Sequence, residues 1–320
     1  MPDSSPKRSS PPLAAGIGSG IAAGALWGLV FLAPQLLGDF TPLQLSVSRY
    51  LAYGLIAALV LAPRWRAAIA PMQASDWWTL ARLSLLGNLI YYVLLGAAVQ
   101  WAGGAAASLI IGLLPVSVTL VGSRSAGALR LSALAMPLGL CLLGVALVGV
   151  QALAGAHQGG HDLATRMAGL ACAFGALLSW TAYSVGNARW LSRRPQISSQ
   201  DGSLLTGVVT GALALLAAAP AFASGASHTL DAWVRLWGIA AVLALFASVI
   251  GNALWNRSSR LLPLTLVGQM IVFETVFALL YGFLWEQRWP HLLEALAIAC
   301  LLAGVYGCTA AHVAQRRRQA

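Results

Sequence analysis

The sequence predicts an all-α integral membrane protein, ten transmembrane helices arranged as two inverted five-helix repeats. Three observations carry that prediction. Of 320 residues, 59% are hydrophobic and 9% charged, with a mean hydropathy of +0.77, which leaves too little polar surface to coat a globule of this size in water. Apolar runs of the roughly 20 residues that cross a bilayer recur along the whole chain. Basic residues gather on alternate connections, as the positive-inside rule requires of a multi-span protein.

The spans read as 14–34, 42–62, 78–101, 104–123, 131–153, 166–189, 203–223, 233–256, 261–285 and 290–314. The first follows the basic stretch PKRSSPP, but its apolar part is too long for the h-region of a secretion signal. Of nineteen Lys and Arg residues, fourteen lie at the termini and the even-numbered connections, from Lys7 and Arg8 through Arg193 and Arg194 to Arg318. Arg166, Arg235 and Arg288 fall on the opposite side, and Arg49 and Arg82 inside spans. Both termini are therefore expected in the cytoplasm, which an even number of spans also requires. The net charge of +10 is accounted for by this topology, so nucleic acid is not expected as a partner. Membrane lipid is.

The polar stretch AGAHQGGHDLATR, 154–166, divides the spans five and five. The expected organisation is a cytoplasmic tail 1–13, a first repeat 14–153, a periplasmic linker 154–165, a second repeat 166–314 and a basic cytoplasmic tail 315–320. Five is odd, so the second set enters the membrane reversed, the signature of an inverted repeat. Matching fragments occur at matching depth: LPVSVTLVG in the fourth span over ETVFALLYG in the ninth, and GALW in the first against GALLSW in the sixth. Most tryptophans fall near span ends, as interfacial belts do. Trp27 and Trp180 alone are left in mid-membrane, and an in-plane two-fold would exchange them.

The first span carries glycine at Gly16, Gly20, Gly24 and Gly28, although each glycine costs a helix about 1 kcal/mol relative to alanine. A repeated small-xxx-small face lets another backbone approach closely, so Gly24 and Gly28 are read as packing residues, with a gating role as the alternative. Pro115 in the fourth span removes a backbone hydrogen bond and is expected to kink its helix, a candidate gate element.

Polar and aromatic strips appear at helical spacing on the third span (Asn88, Tyr91, Tyr92), the fourth (Ser108, Gly112, Pro115, Thr119), the sixth (Trp180, Tyr183, Asn187), the eighth (Ser248, Asn252, Trp255) and the ninth (Thr265, Gln269). Polar side chains at this depth face the bundle interior or a water-filled cavity. Small residues such as Ser108 and Thr119 also serve helix packing, whereas amides and phenols do little for close packing. Trp27, Asn88, Tyr91, Tyr92, Trp180, Tyr183, Asn252 and Gln269 are the candidate substrate-binding residues.

Glu274 is the one acid deep in a span, and an intramembrane carboxylate is a functional candidate by default. It could bind a substrate amine, carry a coupling proton or pair structurally with Arg49. No nucleophile with a base, no paired carboxylates and no metal-ligand spacing are visible. Cys141, Cys172, Cys300 and Cys308 read as small packing residues, and His157, His161, His228, His291 and His312 as solvated loop or span-end residues. Catalysis, cofactors and metals are not expected.

ALWGLVF in the first span, TPLQLSVSRY entering the second, GGAAASLIIGLLPVSVTLVG in the fourth and FETVFALLYGFLWE in the ninth resemble the drug/metabolite transporter superfamily in its EamA-type branch. The tryptophan- and tyrosine-rich strips and the GNLIYY third span look most like the aromatic amino acid exporters of Gram-negative inner membranes. The resemblance implies an outward-moving amino acid carrier, multi-pass in the inner membrane. Its alternating access would centre on a cavity lined by the first, third, fourth, sixth, eighth and ninth spans. One departure stands in the ninth span, where Thr275 follows Glu274 and family members often have proline.

The expectation is thus an exporter of aromatic and other neutral bulky amino acids and related small metabolites. Trp27, Tyr92, Trp180 and Tyr183 would pack the side chain; Asn88, Asn252 and Gln269 would hydrogen-bond the amino and carboxylate groups. The alternatives are an exporter of cationic drugs, a sugar-phosphate-type antiporter, a membrane enzyme and a passive channel. A monomer is expected, with a dimer as the alternative.

Overall fold

The computed structural model describes residues 13–37, 39–102, 107, 110–124, 131–154, 163–223, 228–285 and 287–319. The expected N-terminal tail, most of the 154–165 linker and Ser108 lie outside them. Helices α1 (Leu13–Gly28), α2 (Pro42–Leu61), α4 (Leu114–Gly122), α5 (Leu131–Ala154), α6 (Leu163–Arg193), α7 (Ser199–Phe222) and α10 (Leu292–Gln319) are continuous. Three others are interrupted. α3 comprises Ala74–Ser84, a π-helical turn Leu85–Leu89 and Ile90–Ala102. α8 comprises Leu230–Leu243, a π-helical segment Ala244–Ile250 and Gly251–Leu261. α9 breaks at Ile271 between Leu264–Met270 and Val272–Trp285. Among the described residues, seven helices are long and apolar enough to cross a membrane, and Leu13–Gly28 and Leu131–Leu147 are shorter apolar helices.

The helix starts follow local chemistry. Thr41 and Gln44 form a capping box at the head of α2, and Ser198 and Thr229 cap α7 and α8 through their hydroxyls, satisfying N–H groups that lack a partner within the helix. α10 runs on to Gln319, so the basic segment expected as a tail from 315 continues the last helix. Pro115 stands in the first turn of α4, after a turn at Gly112 and Leu113. There its missing N–H costs nothing. The interruption expected at Pro115 therefore lies just before it.

The packing has a regular plan. α2 lies on α7, α4 on the first part of α9, and α5 on α10. α1 packs on α8 and α9, as α6 packs on α3 and α4; α2 also touches α8, as α7 touches α3. The glycine face of α1 is used for the contact with α9. A Cβ on Gly24 would lie 2.6 Å from Phe273 Cβ and 2.9 Å from the Glu274 amide nitrogen, and one on Gly28 2.9 Å from the Ala278 amide nitrogen. That close approach offsets the poor helix propensity.

One end of the bundle is tied by a buried carboxylate. Asp76, 3% exposed, accepts from Trp190 Nε1 and Arg194 Nε, both at 2.9 Å, and from the Gln73 amide at 2.8 Å. Trp190 and Trp255, expected in the interfacial belt, are both buried in the bundle. His312, expected in solvent, is buried too, with Nε2 2.7 Å from Thr265 Oγ1.

Candidate functional site

A narrow cavity lies in the middle of the bundle. Its walls include Trp27 (α1), Arg49 and Tyr50 (α2), Asn88, Tyr91 and Tyr92 (α3), Trp180 and Tyr183 (α6), Asn252 (α8) and Glu274 (α9). Seven of the eight residues read from sequence as substrate-binding are therefore brought to one place. α2 lines the cavity where α4 was expected to.

The aromatic part is a set of mutually braced rings. Trp27 meets Trp180 edge-on at 6.1 Å between centroids, and Trp180 lies 5.7 Å from Tyr183. Trp255 supports both tryptophans, at 5.2 and 5.7 Å. Two glycines make room for these rings. A Cβ on Gly87 would lie 2.4 Å from the Tyr183 ring, and one on Gly251 would lie 2.9 Å from Trp27 Nε1.

Gly87 lies within the π-helical turn of α3 and Gly251 directly follows that of α8, where backbone carbonyls lose regular partners. Ser179 Oγ donates to the Leu86 carbonyl at 2.7 Å in the α3 turn. Trp27 Nε1 donates to the Ala247 carbonyl at 2.9 Å in the α8 segment.

Each of the two amides gives one donor to a neighbouring helix. Asn88 Nδ2 donates to Thr210 Oγ1 at 3.0 Å, and Asn252 Nδ2 to the Tyr53 hydroxyl at 3.3 Å. Tyr53 in turn donates to the Ser203 carbonyl.

Gln269 is placed elsewhere. Fully buried at 0% exposure, it donates through Nε2 to Thr119 Oγ1 at 2.9 Å and accepts from Cys141 Sγ at 3.2 Å. Gln269 and Glu274 are five residues apart, a rotation of about 140° at 3.6 residues per turn, and the break at Ile271 falls between them. They cannot share the cavity face. Gln269 stitches α9 to α4 and α5 instead.

The charged part is Arg49 and Glu274. Arg49, 8% exposed, donates through Nε to Ser248 Oγ at 3.1 Å and through Nη1 to the Tyr92 hydroxyl. Its guanidinium carbon stands 5.5 Å from the Tyr50 ring centre and 5.2 Å from that of Tyr92, within cation–π range. The Glu274 side chain makes no hydrogen bond and no ion pair among the described residues. The direct Arg49–Glu274 pair that the sequence left open is not formed. Sequence reasoning missed Tyr50 as a lining residue, although its place beside Arg49 and three before Tyr53 was a usable signal.

Residues 167–310 match the EamA-like transporter family. Over 299 residues, 89% of this chain and 92% of the other, the sequence is 33% identical to Inner membrane protein YtfF of Escherichia coli (strain K12). The chain belongs to the EamA-like transporter family. A solved crystal structure, 21% identical, superposes with a TM-score of 0.73 over 96% of this chain and 99% of that one, so the fold is shared. In this EamA-like transporter, six helices contribute side chains to the central cavity.

Proposed function

We propose that this protein is a multi-pass inner-membrane exporter of amino acids, aromatic and other neutral bulky ones, and of related small metabolites. It works by alternating access around the central cavity. One observation carries the reading: aromatic rings from α1, α3 and α6 converge with one charge of each sign in a single buried cavity. That lining suits a small molecule with an apolar side chain and polar ends. The inner-membrane placement is supported by the YtfF relative, whose name states it.

The ten-span, inverted arrangement is supported by the packing plan. Exchanging α1–α5 for α6–α10 turns the largest helix contacts into one another, α1·α8 into α6·α3, α1·α9 into α6·α4 and α2·α8 into α7·α3. The family match, 167–310, also falls within the second expected repeat. With both termini cytoplasmic, cysteine labelling would report the N-terminus and the 154–166 segment on opposite faces. Finding them on one face would remove the inverted reading.

Purified protein in liposomes, challenged with labelled amino acids with and without a pH gradient, tests transport and coupling together. Saturable counterflow of L-tryptophan, L-phenylalanine or L-leucine is the expected result. Non-saturable flux would indicate a channel, and no flux of any amino acid would sink the reading. Glu274, unpaired among aromatic rings, favours a second reading, an exporter of cationic drugs. Counterflow of a lipophilic cation without any amino acid flux would select it.

A further inference from the structure

We infer that Arg49 and Glu274 are the two ends of a receptor for a zwitterion, Arg49 holding the substrate's carboxylate and Glu274 its ammonium group. This rests on the amino acid reading above and goes beyond it by assigning the polar contacts to these two side chains.

Three observations lead there. The amides expected to bind the substrate's polar groups have other partners, since Asn88 bonds Thr210, Asn252 bonds Tyr53, and Gln269 lies outside the cavity. Arg49 is held by Ser248 and Tyr92 through two of the five N–H donors that a guanidinium carries. Its remaining donors have no hydrogen-bond partner among the described residues, although the residue is more than nine-tenths buried and lines the cavity. Glu274 lines the same cavity with its carboxylate likewise unbonded.

Two opposite charges kept in an apolar interior without meeting each other are costly, and ligand charges that complete both would relieve the cost. A guanidinium fork suits a carboxylate, bonding two oxygens in one plane. A carboxylate suits an ammonium, which offers three donors. The aromatic rings between α1, α3 and α6 then receive the side chain. The backbone of Glu274 is fixed against Gly24, and the guanidinium is fixed by Ser248 and Tyr92. The guanidinium and the backbone that carries the carboxylate are therefore set before substrate arrives.

The test uses three molecules that share one ring system: L-tryptophan, tryptamine, which lacks the carboxylate, and indole-3-propionate, which lacks the amine. Each competes against labelled L-tryptophan counterflow in proteoliposomes of the full-length protein. The wild type is expected to favour L-tryptophan over both analogues by about 10-fold or more, because each analogue leaves one buried charge unmatched. Arg49→Gln is expected to shift preference toward tryptamine, and Glu274→Gln toward indole-3-propionate. A structural role would weaken all three equally.

Equal competition by all three in the wild type overturns the inference while leaving amino acid transport in place, and needs no variant to fold. So does a parallel loss of all three in variants that stay monodisperse. Absence of any L-tryptophan counterflow removes the amino acid reading and this inference with it.

Discussion

Gly54 on α2 and Gly211 on α7 cross so closely that a Cβ built on either would lie 2.5 Å from the Cα of the other. The residue before each glycine receives an amide from the site: Asn252 donates to Tyr53, and Asn88 to Thr210. The crossing therefore holds the two cavity amides in matching positions. No side chain larger than hydrogen fits at the contact.

Gly54→Ala and Gly211→Ala are expected to destabilise by about 1–3 kcal/mol, the cost of forcing a methyl into a filled contact. Gly238→Ala is the control, since its Cβ would meet nothing within 4 Å, and it should be neutral or stabilising by up to about 1 kcal/mol. Thermal unfolding of the detergent-purified protein, read as loss of the monodisperse peak, separates the three.

Asp76 carries the buried end of the Trp190–Arg194 cluster. Asp76→Ala leaves Trp190 Nε1 and Arg194 Nε without their acceptor and should cost about 1–3 kcal/mol, visible as a fall in thermal midpoint. Asp76→Asn keeps part of the hydrogen bonding and should fall between. A Asp76→Ala protein as stable as the wild type would show that the cluster contributes nothing.

Gln269→Leu separates the stitch from the cavity. Because Gln269 bonds Thr119 and Cys141 away from the lining, its loss should lower stability by about 0.6–1.7 kcal/mol, the range for hydrogen bonds between helices in membranes. The ranking of amino acids in competition assays should stay as in the wild type. A changed ranking would return Gln269 to the site.

Trp180→Ala, by contrast, removes a wall. The half-saturating concentration for L-tryptophan counterflow is expected to rise by about 10-fold, and that for L-alanine by much less. Identical shifts for both amino acids would mean that the ring braces Trp27 and Trp255 without touching substrate.

Much of the cavity lining was legible because membrane depth makes polar residues conspicuous. Asn88, Tyr92, Trp180, Tyr183 and Asn252 stood out against lipid-compatible neighbours, and all of them line the cavity. Tyr50 was not singled out, although it stands beside Arg49 and three before Tyr53. Gln269 was misplaced because periodicity gives a residue's angle only along an unbroken helix, and α9 breaks at Ile271. The π-helical turns of α3 and α8 have no sequence marker beyond the Gly-Asn that each carries in or just after the turn, Gly87–Asn88 and Gly251–Asn252.

The sequence alone determined that the chain is helical and built for lipid, since hydropathy and charge placement act locally and need no partner. It also determined which residues are too polar for lipid to solvate. The tertiary structure decided how those residues divide between lining the cavity and bracing the bundle. That division depends on which neighbour reaches a donor or acceptor first, Thr210 for Asn88 and Tyr53 for Asn252, and on Arg49 and Glu274 being held apart at the cavity wall. Such distances are set by helix crossings between residues more than a hundred positions apart, which local chemistry cannot encode.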